Sequence, residues 1–187
     1  MHNLYNILLI ALIILIVPAF SFAGPNSLAS CAIDMDISTT DYNFSGIENS
    51  ASVLPDQLFY VAVVVQNVHN LDTYQLDISY DPEVLNFEDA VEDDPVAAGL
   101  TNILKKNNGN TLGFYARNTQ PGKINIANTL IGRNTDQAPE GSGILCILTF
   151  KRLKSEQTVL SLNNVYFIDS SRQKDVIDKK LNGYIDQ

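Results

Sequence analysis

Residues 61–85, VAVVVQNVHNLDTYQLDISYDPEVL, decide the fold. The stretch opens on five apolar residues, 61–65, crosses a polar turn between Asn67 and Asp72 that holds His69 and Asn70, and then changes rhythm. Tyr74, Leu76, Ile78 and Tyr80 alternate with Thr73, Gln75, Asp77 and Ser79. A period of two sends one set to a buried face and the other outward, the signature of a half-buried strand. Two strands joined by Asn- and Asp-rich turn chemistry are the unit of an antiparallel sheet.

The same rhythm extends in both directions. Ile33, Met35 and Ile37 alternate with Asp34, Asp36 and Ser38, which predicts a strand with its polar face in water. Further strands are expected over 59–65, 111–116, 123–128, 143–153, 158–162, 165–168 and 183–185, separated by turn residues such as Asn107-Asn108-Gly109, Pro121-Gly122 and Asn182-Gly183. Helical spacing is scarce. Val96, Leu100, Ile103 and Leu104 recur at i, i+4, i+7 and i+8 and predict a short helix over 95–105, with 171–180 a weaker candidate. Nine or so short strands with at most one or two short helices indicate a single all-β domain, a β-sandwich or jelly roll.

Composition narrows the chemistry. The chain has 187 residues with 12 Lys+Arg against 21 Asp+Glu, a net charge of −9, two His, two Cys and no Trp. Such a charge repels phosphate backbones, so nucleic acid is not an expected partner, and the shortage of His removes triads and multi-His zinc sites. Residues 7–17 are uninterrupted apolar, and Ser21-Phe22-Ala23 supplies the small residues of a cleavage site, so 1–23 read as a signal peptide and 24–187 as the exported domain, with its core over 31–187. The protein is then secreted or at the cell surface. Leu28-Ala29-Ser30-Cys31 also fits the residue types of a lipoprotein box, and the 17 residues 7–23, with Pro18 and Ser21 among them, fall just short of the roughly 20 residues of a spanning helix. Membrane attachment follows only from a lipid on Cys31 or an uncleaved leader. Cys31 otherwise either pairs with Cys146 as a disulfide or stays a buried thiol.

Candidate chemistry is thin. Asp34-x-Asp36-x-Ser38 begins like a calcium loop, but Thr39 and Ser45 stand where an EF-hand needs Gly and Glu. Loop carboxylates such as Asp81, Asp93 and Asp94 leave calcium open elsewhere, and no metal ligand set is assigned. The cluster Glu88, Asp89, Glu92, Asp93 and Asp94 reads as a solvated connection. Asp81 and Glu83 flank Pro82 in a turn, where Asp81 is expected to accept from turn amides rather than act as an acid. Cys146 shares a face with Ile144, Leu148 and Phe150, which predicts an inert core thiol. His69 reads as an exposed turn residue. Sugar stacking lacks its strongest platform, Trp, and Tyr74 and Tyr80 are core positions, leaving Tyr42, Tyr60, Tyr115, Tyr166 and Tyr184.

The strand ending Asn67-Val68, the alternating strand closing on Tyr80-Asp81-Pro82 with Leu85 beyond, and the Gly143-Ile144-Leu145-Cys146-Ile147-Leu148-Thr149-Phe150 segment together resemble the cohesin family. Leu160-Ser161-Leu162-Asn163-Asn164-Val165 and Asn182-Gly183-Tyr184-Ile185 are similar to its closing strands. The resemblance implies a nine-stranded jelly-roll β-sandwich, a non-catalytic module that binds dockerins in extracellular polysaccharide-degrading assemblies, needs no cofactor, and leaves any calcium to the partner. It places Thr73, Gln75 and Asp77 on the dockerin-facing strand, Asn125 and Ala127 on a neighbour, and Tyr80, Asp81 and Pro82 in a structural motif. Related sandwiches include carbohydrate-binding modules, so a polysaccharide ligand is the alternative.

Overall fold

The computed structural model describes residues 24–38, 46–94, 99–132 and 136–186. The strands are β1 (Ser30–Asp34), β2 (Ser50–Ser52), β3 (Leu58–Val68), β4 (Leu71–Ser79), β5 (Leu85–Val91), β6 (Tyr115–Gln120), β7 (Lys123–Thr129), β8 (Gly141–Arg152), β9 (Thr158–Asp169), β10 (Lys174–Val176), β11 (Lys179–Leu181) and β12 (Gly183–Asp186). One sheet runs β11-β1-β3-β8-β5. The other runs β2-β12-β9-β4-β7-β6, with β10 alongside β9. The expected β-sandwich is what forms; the described residues hold twelve strands, because β2, β5, β10 and β11 were not expected and the two strands expected over 158–162 and 165–168 are one, β9.

The main core lies between the sheets. Tyr74, Leu76 and Ile78 of β4 and Ile124 and Ile126 of β7 face Val61, Val63 and Val65 of β3 and Leu148 and Phe150 of β8, all buried. Each such side chain contributes about 1.5–3 kcal/mol when fully removed from water. The unbroken apolar run of β3 has a separate cause: its other face is covered as well. Ala62 and Val64 join Ala32, Ile144 and Ile147 in a second cluster closed over by Ile47 and Leu100. A strand buried on both sides reads as continuous hydrophobicity rather than alternation.

That double burial corrects two expectations. Asp34 does not face water: it is 1% exposed, as is all of β1 buried, because the strand lies between β3 and β11 and beneath the second cluster. Its carboxylate accepts from the Asp36 backbone N–H at 3.1 Å. The helix expected over 95–105 reduces to a 3₁₀ turn at Ile103–Lys105, and residues 95–98 lie outside the described ones. Leu100 forms a bridge with Asp94 and packs in the outer cluster, whereas Ile103 and Leu104 enter the main core. The four apolar residues thus serve two cores, not one helix face. Segment 171–180 likewise contributes β10 and part of β11. Residues 1–23, read from sequence as a signal peptide, and Tyr42 lie outside the described residues.

The cysteines stay free and buried. Cys31 pairs in register with Val65, and Cys146 with Val63, on opposite sides of β3. Two strand spacings put their backbones about 10 Å apart. A disulfide bridges only ~4.4–6.8 Å, so the bond considered from sequence does not form. Burial pushes the Cys31 thiol up to about 12, and Cys146 higher still. A lipid on Cys31 is corrected by the same fact, because its sulfur sits in the main core where an acyl chain has no room.

Candidate partner-binding face

The motif Tyr80-Asp81-Pro82 ends β4 and fixes the corner of the exposed sheet. The Tyr80 ring meets Phe150 edge-on at 5.4 Å, and its hydroxyl donates to Asn118 Oδ1 at 3.1 Å. Asp81 Oδ1 accepts from the Glu83 N–H at 2.9 Å, the turn-capping role expected from its position. Gly122, at φ +76°, closes the β6–β7 turn; a Cβ there would lie 2.6 Å from the Tyr80 carbonyl oxygen, so no other residue fits.

Beyond this corner, β4 lies between β7 and β9. Its outward residues fall opposite those of β7 in pairs: Thr73 with Thr129, Gln75 with Ala127, Asp77 with Asn125 and Ser79 with Lys123. On the other side Gln75 meets Tyr166, and β10 adds Val176 beside Tyr166. β6 adds Tyr115 beside Ala127 and Arg117 beside Asn125. The structure brings Thr73, Gln75, Asp77, Asn125 and Ala127 onto one sheet face.

The five are not equivalent. Gln75 is exposed and Thr73, Asn125 and Ala127 are half-buried, but Asp77 is 6% exposed. Asp77 Oδ1 accepts from Asn125 Nδ2 at 2.8 Å and Oδ2 from Asn164 Nδ2 at 2.7 Å, with Lys123 Nζ 3.0 Å away. Burial works against its ionisation, yet the donors Asn125, Asn164 and Lys123 outweigh it and hold the carboxyl below the usual range. Asp77 is thus an organiser of its neighbours, where alternation alone reads it as a solvated position.

Several members of the face escape the sequence reading. Leu112, 65% exposed, and Tyr115 border a shallow depression of about 190 Å³ with Thr73, Ala127 and Thr129. Leu112 stands in a loop, and β6 is an edge strand with no alternation to mark it. Val176 belongs to a three-residue strand too short for a period to show. Both flanking rings carry a cation: Lys174 Nζ lies 3.6 Å from the centre of Tyr166, and the Arg117 guanidinium 5.6 Å from that of Tyr115.

The other polar groups singled out from sequence are elsewhere and occupied. Glu92 Oε1 accepts from Lys105 Nζ at 2.5 Å, and Oε2 from Thr111 Oγ1 at 2.8 Å and Asn128 Nδ2 at 2.9 Å, so this acid braces a loop rather than merely facing solvent. Against the cost of burial, those donors hold its carboxyl below the ordinary value. Asp93 Oδ2 accepts from the same Lys105 at 2.7 Å. Beneath them the buried Tyr74 hydroxyl donates to the Leu145 carbonyl at 2.6 Å and accepts from Asn102 Nδ2 at 3.2 Å. The His69 side chain is exposed, 3.9 Å from Glu140. Among the described residues no three His, Cys, Asp or Glu side chains converge on a metal position.

Solved structures share this architecture. A cohesin from Clostridium acetobutylicum is 19% identical, with a TM-score of 0.59 over 87% of this chain and 94% of that one. A non-cellulosomal cohesin of the archaeon Archaeoglobus fulgidus is 17% identical, with a TM-score of 0.59 over 84% of this chain and 88% of that one. A type II cohesin from the cellulosome of Acetivibrio cellulolyticus is 18% identical, with a TM-score of 0.60 over 84% of this chain and 94% of that one. No curated protein sequence is significantly similar to this chain. Residues 47–185, which run from the second cluster through β12 and include the whole β4–β7 face, match the cohesin domain, and the chain belongs to that family.

Proposed function

We propose that the chain is an exported, non-catalytic module that holds a dockerin-bearing protein against the β4–β7–β9 face. The observation that carries this reading is the convergence of Thr73, Gln75, Asn125 and Ala127 on one face, organised by the buried Asp77. Small and amide side chains let a partner helix approach the sheet and hydrogen-bond to it, while Leu112, Tyr115 and Val176 supply apolar contact at its margins. Cohesins of similar fold have been solved in complex with dockerins, among them a Clostridium thermocellum pair whose cohesin is 12% identical to this chain. Assembly of polysaccharide-degrading enzymes outside the cell is the setting that fits this reading.

Titration calorimetry of the exported protein against each dockerin encoded in the same genome, with calcium present, tests the proposal. Saturable one-to-one binding by at least one is expected, and absence of binding across all of them overturns it. Direct sugar binding is the weaker alternative, since Lys174 and Arg117 occupy ring faces that a sugar would need.

A further inference from the structure

Ahead of β1 the chain is folded down onto the domain. Asn26 is fully buried; its Nδ2 donates to the His69 carbonyl at 3.1 Å and its Oδ1 accepts from the His69 N–H at 2.8 Å. Ser27 N–H donates to the Gly24 carbonyl and Ala29 N–H to the Asn26 carbonyl, both at 3.0 Å. This turn seats Gly24 against Asp175 of β10. A Cβ on Gly24 would lie 2.1 Å from Asp175 Oδ1 and 2.3 Å from Oδ2, so the backbone lies against the carboxylate and a larger residue would have to push the Asp175 side chain aside.

Asp175 has no cationic partner among the described residues. It is 8% exposed, and it accepts from the Asn26 N–H at 2.9 Å. The ion pairs among the described residues leave it out, and its neighbour Lys174 is turned to the Tyr166 ring. Its second oxygen, Oδ1, has no donor among the described residues and is not sealed from solvent, so an ammonium group beside it would gain a charge-assisted partner without displacing one.

We propose that the Asp175 carboxylate is the receiving site for the α-ammonium group created when the chain is processed between Ala23 and Gly24. The inference rests on the export reading. A signal peptidase adds water across the Ala23–Gly24 peptide bond; Ala23 departs with the leader as a carboxylate, and the freed amine of Gly24 takes up a proton. The new ammonium arises on the residue already touching Asp175, carries three donors, and supplies the missing countercharge. Processing therefore finishes the fold as well as releasing it, and it ties the N-terminal turn to β10, the strand that places Val176 beside Tyr166 on the partner face.

The full chain, expressed with its own leader, tests this. Intact mass of the exported product should correspond to a start at Gly24. A start elsewhere, or an intracellular chain of full mass, overturns the processing step. Acetylation near neutral pH then blocks the α-amine in preference to lysines, whose pKa is far higher. The unfolding equilibrium constant of the wild-type product should rise about ten-fold on acetylation, the scale of one charge-assisted hydrogen bond. In Asp175→Asn the same acetylation should change it little. An equal response in the two proteins, or none in the wild type, overturns the latch. Dockerin titrations are read separately, so loss of the latch and loss of the partner reading are distinguishable.

Discussion

Outside the five-stranded sheet, Ala32, Ala62, Val64, Ile144 and Ile147 are sealed beneath Ile47 and Leu100; outside the opposite sheet, Gln75 is exposed, with Thr73, Asn125 and Ala127 half-buried around it. Both surfaces are flat β-structure made by neighbouring strands of one chain. The difference lies in what the outward residues ask for. Aliphatic groups on β3 and β8 gain by excluding water and recruit the protein's own loops to do it. Amides and hydroxyls on β4 and β7 gain nothing from such a cover and hydrogen-bond to one another instead, as Thr73 does to Thr129 and Asn125 to Asp77. One face is finished in folding, and the other, on the function proposed above, is finished by binding.

The sharpest way to break this contrast is to exchange the requirements. Val64→Asp places an unpaired charge in the sealed cluster and should cost at least about 4 kcal/mol, enough to unfold a marginal domain, as read by urea denaturation. A loss below about 1 kcal/mol would show that the cover over Val64 is loose. Arg152 tests the clasp joining the sheet ends. Its buried guanidinium donates to the carbonyls of Val53, Lys154, Glu156 and Asp186. Arg152→Met strands those acceptors and should cost about 3 kcal/mol in the same assay.

Smaller effects belong to the open face. Asp77→Ala leaves Asn125, Asn164 and Lys123 without their common acceptor and should cost about 1–2 kcal/mol, with a matching loss of dockerin affinity measured by calorimetry. An unchanged affinity would mean that Asp77 does not organise the binding surface. The pH dependence carries the same signature. Folding lowers the Asp77 carboxyl below 3.8 and Glu92 below 4.5, so near those values the unfolded chain binds more protons. Their stabilisation is full above the unfolded values and is lost as pH falls through the lower folded ones. Asp77→Asn and Glu92→Gln should each flatten the acid side of a thermal-melting profile. Least disruptive to stability is Gln75→Ala, expected within about 0.5 kcal/mol by denaturation while weakening dockerin binding. A stability loss above about 1 kcal/mol would place Gln75 among structural residues.

The open face was legible because its strands alternate. Period two across 73–80 separates Tyr74, Leu76 and Ile78 from Thr73, Gln75 and Asp77 in the structure as it does in the sequence. The sealed face was only half legible, since the run 61–65 announces burial without saying what covers the second side, and Ile47 and Leu100 come from distant loops. Asp34 shows the limit from the other direction: alternation placed it in water, but β11 and the loop cover removed that water. Asp77 escaped for a local reason, its three donors coming from three positions brought together only by register. Arg152 carries no pattern at all, because its acceptors are main-chain carbonyls, which any residues supply.

The buried Asp77 also fixes the direction of two amides. A carboxylate can only accept, so Asn125 and Asn164 must turn their nitrogens toward it and their oxygens away. Its own negative charge is balanced by Lys123. The amide oxygens of Asn125 and Asn164 are therefore neutral acceptors of set orientation, and recognition through them, on the function proposed above, should persist as ionic strength rises, on a molecule whose overall charge of −9 would otherwise suggest the opposite.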